Sequence, residues 1–504
     1  TINSGGVNAS GIVSATSYTG SGANLTGIGL TIAPLAYNPD VSDTLVTAAT
    51  GIGLTFNQRV SAGTGNVTLS LVSVGSTLVE NFSVGSSVTY NNDADPPNIT
   101  INPTNDLDGN TVYAISYPSG AFTQSGAGGS FVGTAYTFAT EKNPYGELWM
   151  VGNNQYGLLG QNQPEASDRS SPVQIPGTNW KTLPVGGGDN AYRAAAIKVD
   201  GTLWMWGYNG DGELGQNSPT NTHLSSPTQI PGTTWKYVAN RGAVHAIKTD
   251  GTMWAWGDNS RGQLGQNSEV RYSSPVQIPG TTWSTANKHN ITAGSGLVGA
   301  VKTDGTLWMW GYNNVGALGL NGGGNRSSPT QVGSDTTWAA ISGYTYGNIA
   351  TKTDGTLWSW GNNTYGQMGV NDRTQYSSPI QVGSDTTWGN LNAAVSRFGV
   401  AAIKTDGTLW QWGRNINGGM GGTGDRSSPT QIPGTTWKEI AIGDDGTRIA
   451  VKTDGTMWGW GDNAQGQLGQ NEEGNDFNSP VQIPGSSWFS VAARRLANMA
   501  IKQS

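Results

Sequence analysis

The chain of 504 residues contains no cysteine. It can form no disulfide and no thiolate metal site. Histidine is nearly as scarce, with only His223, His245 and His289. No HExxH, GxSxG or phosphate-binding GxxxxGK run is present, so no familiar catalytic or nucleotide-cradling motif is available. Apolar runs are short, and none approaches a membrane span. Charged residues make up only 12% of the chain. Disorder does not follow from this, because β-branched and aromatic residues are frequent. With 76 glycines and abundant Asn, Thr and Ser, the composition reads as all-β with many turns.

The absences are unevenly distributed. Residues 1–141 hold no tryptophan, while residues 142–504 hold all 20. The first stretch carries eight acidic residues and one basic, a net −7; the second carries 25 of each and is neutral. A domain boundary is expected near 141–144.

What fills 142–504 is a repeat. KTDGTLWMWG at 302–311 recurs in variant form, and the first Trp of each copy falls at Trp149, Trp204, Trp254, Trp308, Trp358, Trp410 and Trp458. The intervals of 55, 50, 54, 50, 52 and 48 residues indicate a solenoid or propeller. Each unit reads TTW, a variable stretch, AIKT, DG, TLWxWG, xNxxGxLG, then SSPxQIPG. Asp-Gly between two alternating apolar segments is a strong hairpin signal, because both central positions of the turn need positive φ. Pro at the start of SSPxQI sits where no ladder bond is lost. Four short strands per unit make a propeller blade. The chain ends on MAIKQS, lacking its DG half, and the region begins with YGELWMVG, lacking its TTW half. The two halves are expected to form one composite seventh blade, closing the ring without an exposed edge. Seven LW positions, six WG positions (Val151 replaces the seventh) and seven TW positions account for every Trp. A residue demanded by every blade is best read as packing between sheets.

Runs such as GTLWMWGYNGDGELG at 201–215 and GTMWAWGDNSRGQLG at 251–265 resemble the regulator of chromosome condensation repeat family, a seven-bladed propeller. That family includes a chromatin-bound nucleotide exchange factor, a plant UV receptor and a bacterial β-lactamase inhibitor, so the resemblance leaves function open. The chromatin role would need a strongly basic surface, and this region is neutral. The UV receptor's Gly-Trp-Arg-His-Thr motif is absent. Upstream, IGLTFNQRV at 52–60, GTGNVTL at 63–69, INP at 101–103, LDGNTVY at 107–113 and YTF at 136–138 resemble a bacterial Ig-like domain of surface-layer and secreted proteins, which acts as a spacer or docking module. GIVSATSYTGSGANLTGI at 11–28 resembles a short motif of bacteriophage fibre proteins, in which such segments form intertwined oligomers; a flexible leader is the alternative. The expected organisation is a leader over 1–32, an Ig-like β-sandwich over 33–141 and a seven-bladed propeller over 142–504.

Two acidic groupings invite chemical readings. Asp106, Asp108 and Asn110 suggest calcium but lack the remaining EF-hand ligands. Glu472, Glu473 and Asp476 suggest glycosidase carboxylates but read better as a solvated loop. No catalytic residue, cofactor or metal is expected, and the chain is not expected to be an enzyme.

The variable stretches carry the recognition signal. The segments after TTW and the xNxxGxLG loops open on one face of the ring, and tight DG and PG turns close the other. Variable loops on a rigid scaffold are where recognition sits. The post-TTW loops hold Tyr192, Arg193, Arg241, His245, Lys288, His289, Tyr344, Tyr346, Arg397, Phe398, Arg448, Arg494 and Arg495. Tyr and Arg are hot-spot residues, and the cationic excess suggests an anionic partner. The expected class is a virion or surface appendage, displayed on a bacteriophage or outside a cell, that binds another virion or cell-surface protein or an anionic glycan. Residues 1–32 would allow homo-oligomerisation. No nucleic acid is expected as a partner. A secreted or surface-anchored bacterial adhesin or inhibitor is the alternative; a polysaccharide-degrading enzyme is a third.

Overall fold

The computed structural model describes residues 34–38, 52–56, 59–139 without 73–76, 95, 105–111 and 125–134, and 146–503 without 164–167, 186–191, 219–220, 345, 390, 421–423, 445 and 495. The leader 1–32, the Asp106, Asp108 and Asn110 cluster and Arg495 lie outside the described residues. The chain forms two compact units, Thr1–Asn143 and Pro144–Ser504.

In the first unit, period-two alternation produces two four-stranded sheets around one core. Ile52, Leu54 and Phe56 are buried while Gly53 and Thr55 are not, as a half-buried strand requires. Their strand pairs antiparallel with Asn98–Ile101. Val67, Leu69, Ile115, Tyr136 and Phe138 of the other sheet share the same cluster.

In the second unit each repeat becomes one antiparallel four-stranded blade; among the described residues five blades are separate sheets and two are joined into one eight-stranded sheet. Blade 1 is composite: Trp488–Ala493, Ala497–Gln503, Gly146–Gly152 and Arg169–Gln174, with Gly146 opposite Gln503 and Gly152 opposite Ala497. Blades 2 to 7 span 180–229, 235–278, 291–331, 338–381, 392–432 and 437–483. No sheet closes on itself; the blades pack side by side, first strand against first strand from blade 3 round to blade 1, with the second strand of blade 2 against blade 3. A single pairing of Gly146 with Trp180 links blades 1 and 2.

The repeated residues explain the repeated shape. In the Asp304-Gly305 turn, Asp304 Oδ1 accepts from Thr306 N at 3.0 Å and Thr306 Oγ1 at 2.6 Å, and Gly305 stands at φ 77°. Thr306 Oγ1 then accepts from Trp308 Nε1 at 2.8 Å. Lys302 lies over both Trp283 and Trp308, 5.1 and 4.0 Å from the ring centres. The six DG repeats share this Asp-Thr-Trp relay, while in blade 1 Glu147 accepts directly from Trp149 Nε1 at 3.1 Å.

The WG tryptophans join neighbouring blades. Trp310 Nε1 donates to Gln263 O of blade 3 at 2.8 Å, and Trp206, Trp256, Trp360, Trp412 and Trp460 repeat the contact. Blade 1 has Val151 there, and Asn498 Nδ2 supplies the donor instead, reaching Gln467 O at 2.7 Å. A second joint runs through the xNxxGxLG loops. Asn471 N donates to Ser170 O at 2.8 Å, seating the blade 7 loop on blade 1, and Gly466, at φ 70°, lies where an added Cβ would fall 2.6 Å from Ser170 Cβ.

Candidate functional site: the loop face

The first strands of the blades surround a narrow axial channel with about 30 Å³ of free space, lined by small apolar residues such as Ala393, Val395, Ala441 and Ala492. Each end is plugged by charge. At the loop end Arg241, which follows the first strand of blade 3, pairs with Asp444 of blade 7 at 2.9 Å, both fully buried. Its guanidinium lies 4.1 Å from the Tyr344 ring centre of blade 5. Arg193 pairs with buried Glu213 at 3.0 Å and donates to the carbonyls of Arg241 and Gly242. Arg494 joins this plug; burial, then Arg193 and Arg241, pull its pKa down to about 9. Arg448 donates to Gly446 O, and burial lowers its pKa to about 10. At the turn end Lys288 of blade 4 pairs with Glu439 of blade 7, which also accepts from Ser490 Oγ at 3.0 Å.

Around the plugged mouth the blades meet in a regular way. In every xNxxGxLG loop the Asn is fixed: Asn209 Oδ1 accepts from Leu214 N at 2.9 Å, and the other six copies do the same. The residue before this Asn and the residue two after it vary, and at six of the seven junctions the two variable positions of adjacent blades are in contact or share a partner. Tyr156 meets Tyr208, with ring centres 5.0 Å apart. Asp211 and Asp258 are bridged by Arg271. Arg261 lies 5.1 Å from the Tyr312 ring centre. Arg414 lies 4.8 Å from Tyr365 and 5.0 Å from Phe398. Asn417 Nδ2 donates to Asp462 Oδ1 at 3.2 Å, and Asn153 Nδ2 to Gln465 Oε1 at 3.3 Å. The loop end of each second strand adds a third residue: Tyr192 is 5.5 Å from Tyr156, and Tyr346 is 6.2 Å from Tyr312. The conserved frame thus presents a circle of variable side chains. It is acidic and aromatic where blades 1 to 3 meet, and cationic and aromatic from blade 3 to blade 6.

The model of the RCC1-like domain matches residues 147–500, more than half of the chain. The chain belongs to the RCC1-like domain family. Its fold is similar to that of human WBSCR16, at 21% identity and a TM-score of 0.60, over 71% of this chain and 100% of that one. It is also similar to yeast RCC1 (Prp20) in a structure with Kap60 bound, at 20% identity and a TM-score of 0.60, over 71% of this chain and 90% of that one. A second structure of Prp20p from Saccharomyces cerevisiae, described with its binding to Gsp1p and histones, gives 19% identity and a TM-score of 0.59, over 71% of this chain and 92% of that one. At these identities the likeness concerns the RCC1-like propeller fold alone.

Within this RCC1-like propeller the residues expected to form the loop face separate into three groups. Tyr192, Tyr346, Arg397 and Phe398 reach solvent there, wholly or in part. Arg193, Arg241, His245, Tyr344, Arg448 and Arg494 are buried, which corrects the expectation of solvent-facing cations. The physical reason is position: Arg193, Arg241, Tyr344 and Arg494 pack together at the channel mouth, while His245 and Arg448 are enclosed between neighbouring blades, against Gln263 O and Trp310 and against Gly446 O. Lys288 and His289 belong to the opposite end. The insert 285–290 precedes the short strand Ile291–Ala293, and Lys288 meets Glu439, which pairs with Val451 beside the Lys452 turn. Sequence reading missed Tyr156, Tyr208, Asp211, Asp258, Arg261, Tyr312, Tyr365 and Arg414. Their signal was variation at fixed positions flanking an unvarying Asn. Glu472, Glu473 and Asp476 are exposed loop residues. Among the described residues no group of three His, Asp or Glu is placed to hold a metal ion, and no helix is long and apolar enough to cross a membrane.

Proposed function

We propose that this chain is a non-enzymatic recognition protein whose propeller engages a protein partner through the loop face. One observation carries the reading: variable positions that flank the fixed loop Asn meet in pairs around one mouth of the ring, at six of the seven junctions among the described residues. Tyr and Arg fill six of these fourteen positions, and both are enriched at binding hot spots. The plugged channel favours a surface partner over a threaded one. The finer placement rests on sequence alone. The fibre-like leader 1–32, the acidic, Ig-like stretch 33–141 and the lack of cysteine suggest a virion or cell-surface appendage, with 1–141 attaching and the propeller displayed.

The test is a charge-matched pair of triple variants of the full chain. One carries Gln155→Glu, Asn314→Glu and Thr364→Glu, all exposed on the loop face. The other carries Thr233→Glu, Thr281→Glu and Thr435→Glu, all exposed on the turn face. Affinity is measured for the partner recovered on the immobilised wild-type chain. The reading requires the loop triple to lose at least tenfold while the turn triple stays at wild type. Equal effects, or loss in the turn triple alone, would sink it.

A further inference from the structure

The junction of blades 1, 2 and 3 differs chemically from the other junctions. Tyr156, Tyr192 and Tyr208 wall a cleft of about 300 Å³, and Asp211, Glu213 and Asp258 contribute its carboxylates. The rings meet at angles rather than in one stack: Tyr156 stands at 74° to Tyr192 and 59° to Tyr208. His223 backs the cluster, 4.6 Å from Tyr156 and stacked on Tyr208 at 5.0 Å. Tyr156 holds φ 60°, a left-handed conformation that an aromatic residue adopts at a cost. Each of the three tyrosines retains partial exposure.

We propose that this cleft is a cation-recognition site that takes a basic side chain of the protein partner, its head between the tyrosine faces and the Asp211 and Asp258 carboxylates. The proposal rests on the loop-face reading above and gives it a ligand chemistry. Aromatic faces present negative quadrupole to a cation, and the attraction grows as water is excluded. Carboxylates on the same cleft add direction, because a guanidinium can hold one in a fork of two hydrogen bonds. The chain already shows this match. Arg271, half exposed on the outer edge, bridges the same two aspartates, with Nε 3.3 Å from Asp258 Oδ1. Glu213 is engaged beneath by Arg193, and Arg271 is the cation that Asp211 and Asp258 share among the described residues; Asp258 also accepts from Ser260 and Gln263, which fix its orientation. Burial, and then the nearby Glu213, raise the Asp211 carboxyl above its usual range, with Arg271 opposing them.

The experiment titrates the full chain, labelled with 3-fluorotyrosine, with N-acetyl-arginine amide, N-acetyl-trimethyllysine amide and N-acetyl-glutamate amide. The fluorine resonances of positions 156, 192 and 208 are assigned by single Tyr→Phe changes. Saturable shifts confined to these positions with a cationic probe, and none with the glutamate probe, are expected. The arginine and trimethyllysine arms separate a guanidinium preference from a quaternary-ammonium preference. Asp258→Asn should weaken cation binding at least tenfold with melting unchanged, Tyr208→Leu should do the same, and Arg271→Gln should strengthen it by removing the internal competitor. Absence of saturable shifts with either cation, or shifts insensitive to Asp258→Asn, overturns the proposal. Cation binding here without loss of partner affinity in the loop triple would leave the cleft standing and remove the loop-face reading; the converse would do the opposite.

Discussion

Arg241 of blade 3 and Asp444 of blade 7 meet at 2.9 Å although two blades separate them around one side of the ring and three around the other. The pair therefore ties sheets that are not neighbours, at the loop mouth of the channel. Lys288 and Glu439 tie blades 4 and 7 at the turn mouth. Breaking a buried pair from one side strands a charge, at about 3–5 kcal/mol, whereas replacing both partners with apolar groups is often nearly neutral. Arg241→Met is expected to lower stability by about that amount, and Arg241→Met with Asp444→Leu to recover most of it, in chemical denaturation. Equal losses in the single and double variants would mean that the pair is not the tie.

The tryptophans are not equivalent. Trp310 is fully buried and reaches across a blade junction, while Trp308 is partly exposed and bonds within its own turn. Trp310→Ala should cost about 3–5 kcal/mol as a buried large-to-small change. Trp308→Ala should cost distinctly less. Thermal melting of the two variants decides it, and the reverse order would remove the WG indoles from their role as joints.

Asn498 stands in for an indole in the composite blade. Asn498→Leu removes the Gln467 carbonyl's side-chain donor in a buried place and should cost about 1–3 kcal/mol. Unfolding should begin at the joint of blades 7 and 1. Hydrogen exchange that accelerates elsewhere first would contradict this.

His245 gives a pH signature. Burial holds its imidazole at about 4, against an ordinary 6.5, despite the 2.9 Å contact of Nε2 with Gln263 O. The folded chain thus keeps it neutral while the unfolded chain takes up a proton below about 6.5. Stability is full above that value, falls as pH drops from about 6.5 to about 4, and stops falling on this account once the folded imidazole protonates. The window is worth roughly 3 kcal/mol. Denaturant midpoints of wild type and His245→Asn between pH 7 and 4 should converge as pH falls; parallel curves would show that His245 is not the cause.

The sequence exposed its architecture because the architecture repeats. Asp304-Gly305 fixes a turn, Trp310 a joint and Asn313 a loop; the Asn recurs in all seven blades and the other two in six, which makes each legible as a structural demand. The fate of Arg241 and Arg494 was not legible. Whether a loop residue turns outward or into the channel depends on how closely the first strands converge, and that distance is set by the ring as a whole. The lysines before the DG turns carry the same lesson: Lys302, Lys352 and Lys404 each lie over two indoles from separate segments of the repeat. Tyr156 and Tyr208 escaped notice because they are 52 residues apart and meet only when two blades are placed side by side.

The central claim is that recognition occurs on the circle of variable residues around the loop mouth. Hydrogen–deuterium exchange of the full chain, with and without its partner, tests it most directly. The account predicts protection in the loops 153–160, 208–215, 258–265, 312–319 and 362–369, with the DG turns at 200–201, 250–251 and 304–305 unchanged. Protection confined to those turns, or to 1–141, would contradict it.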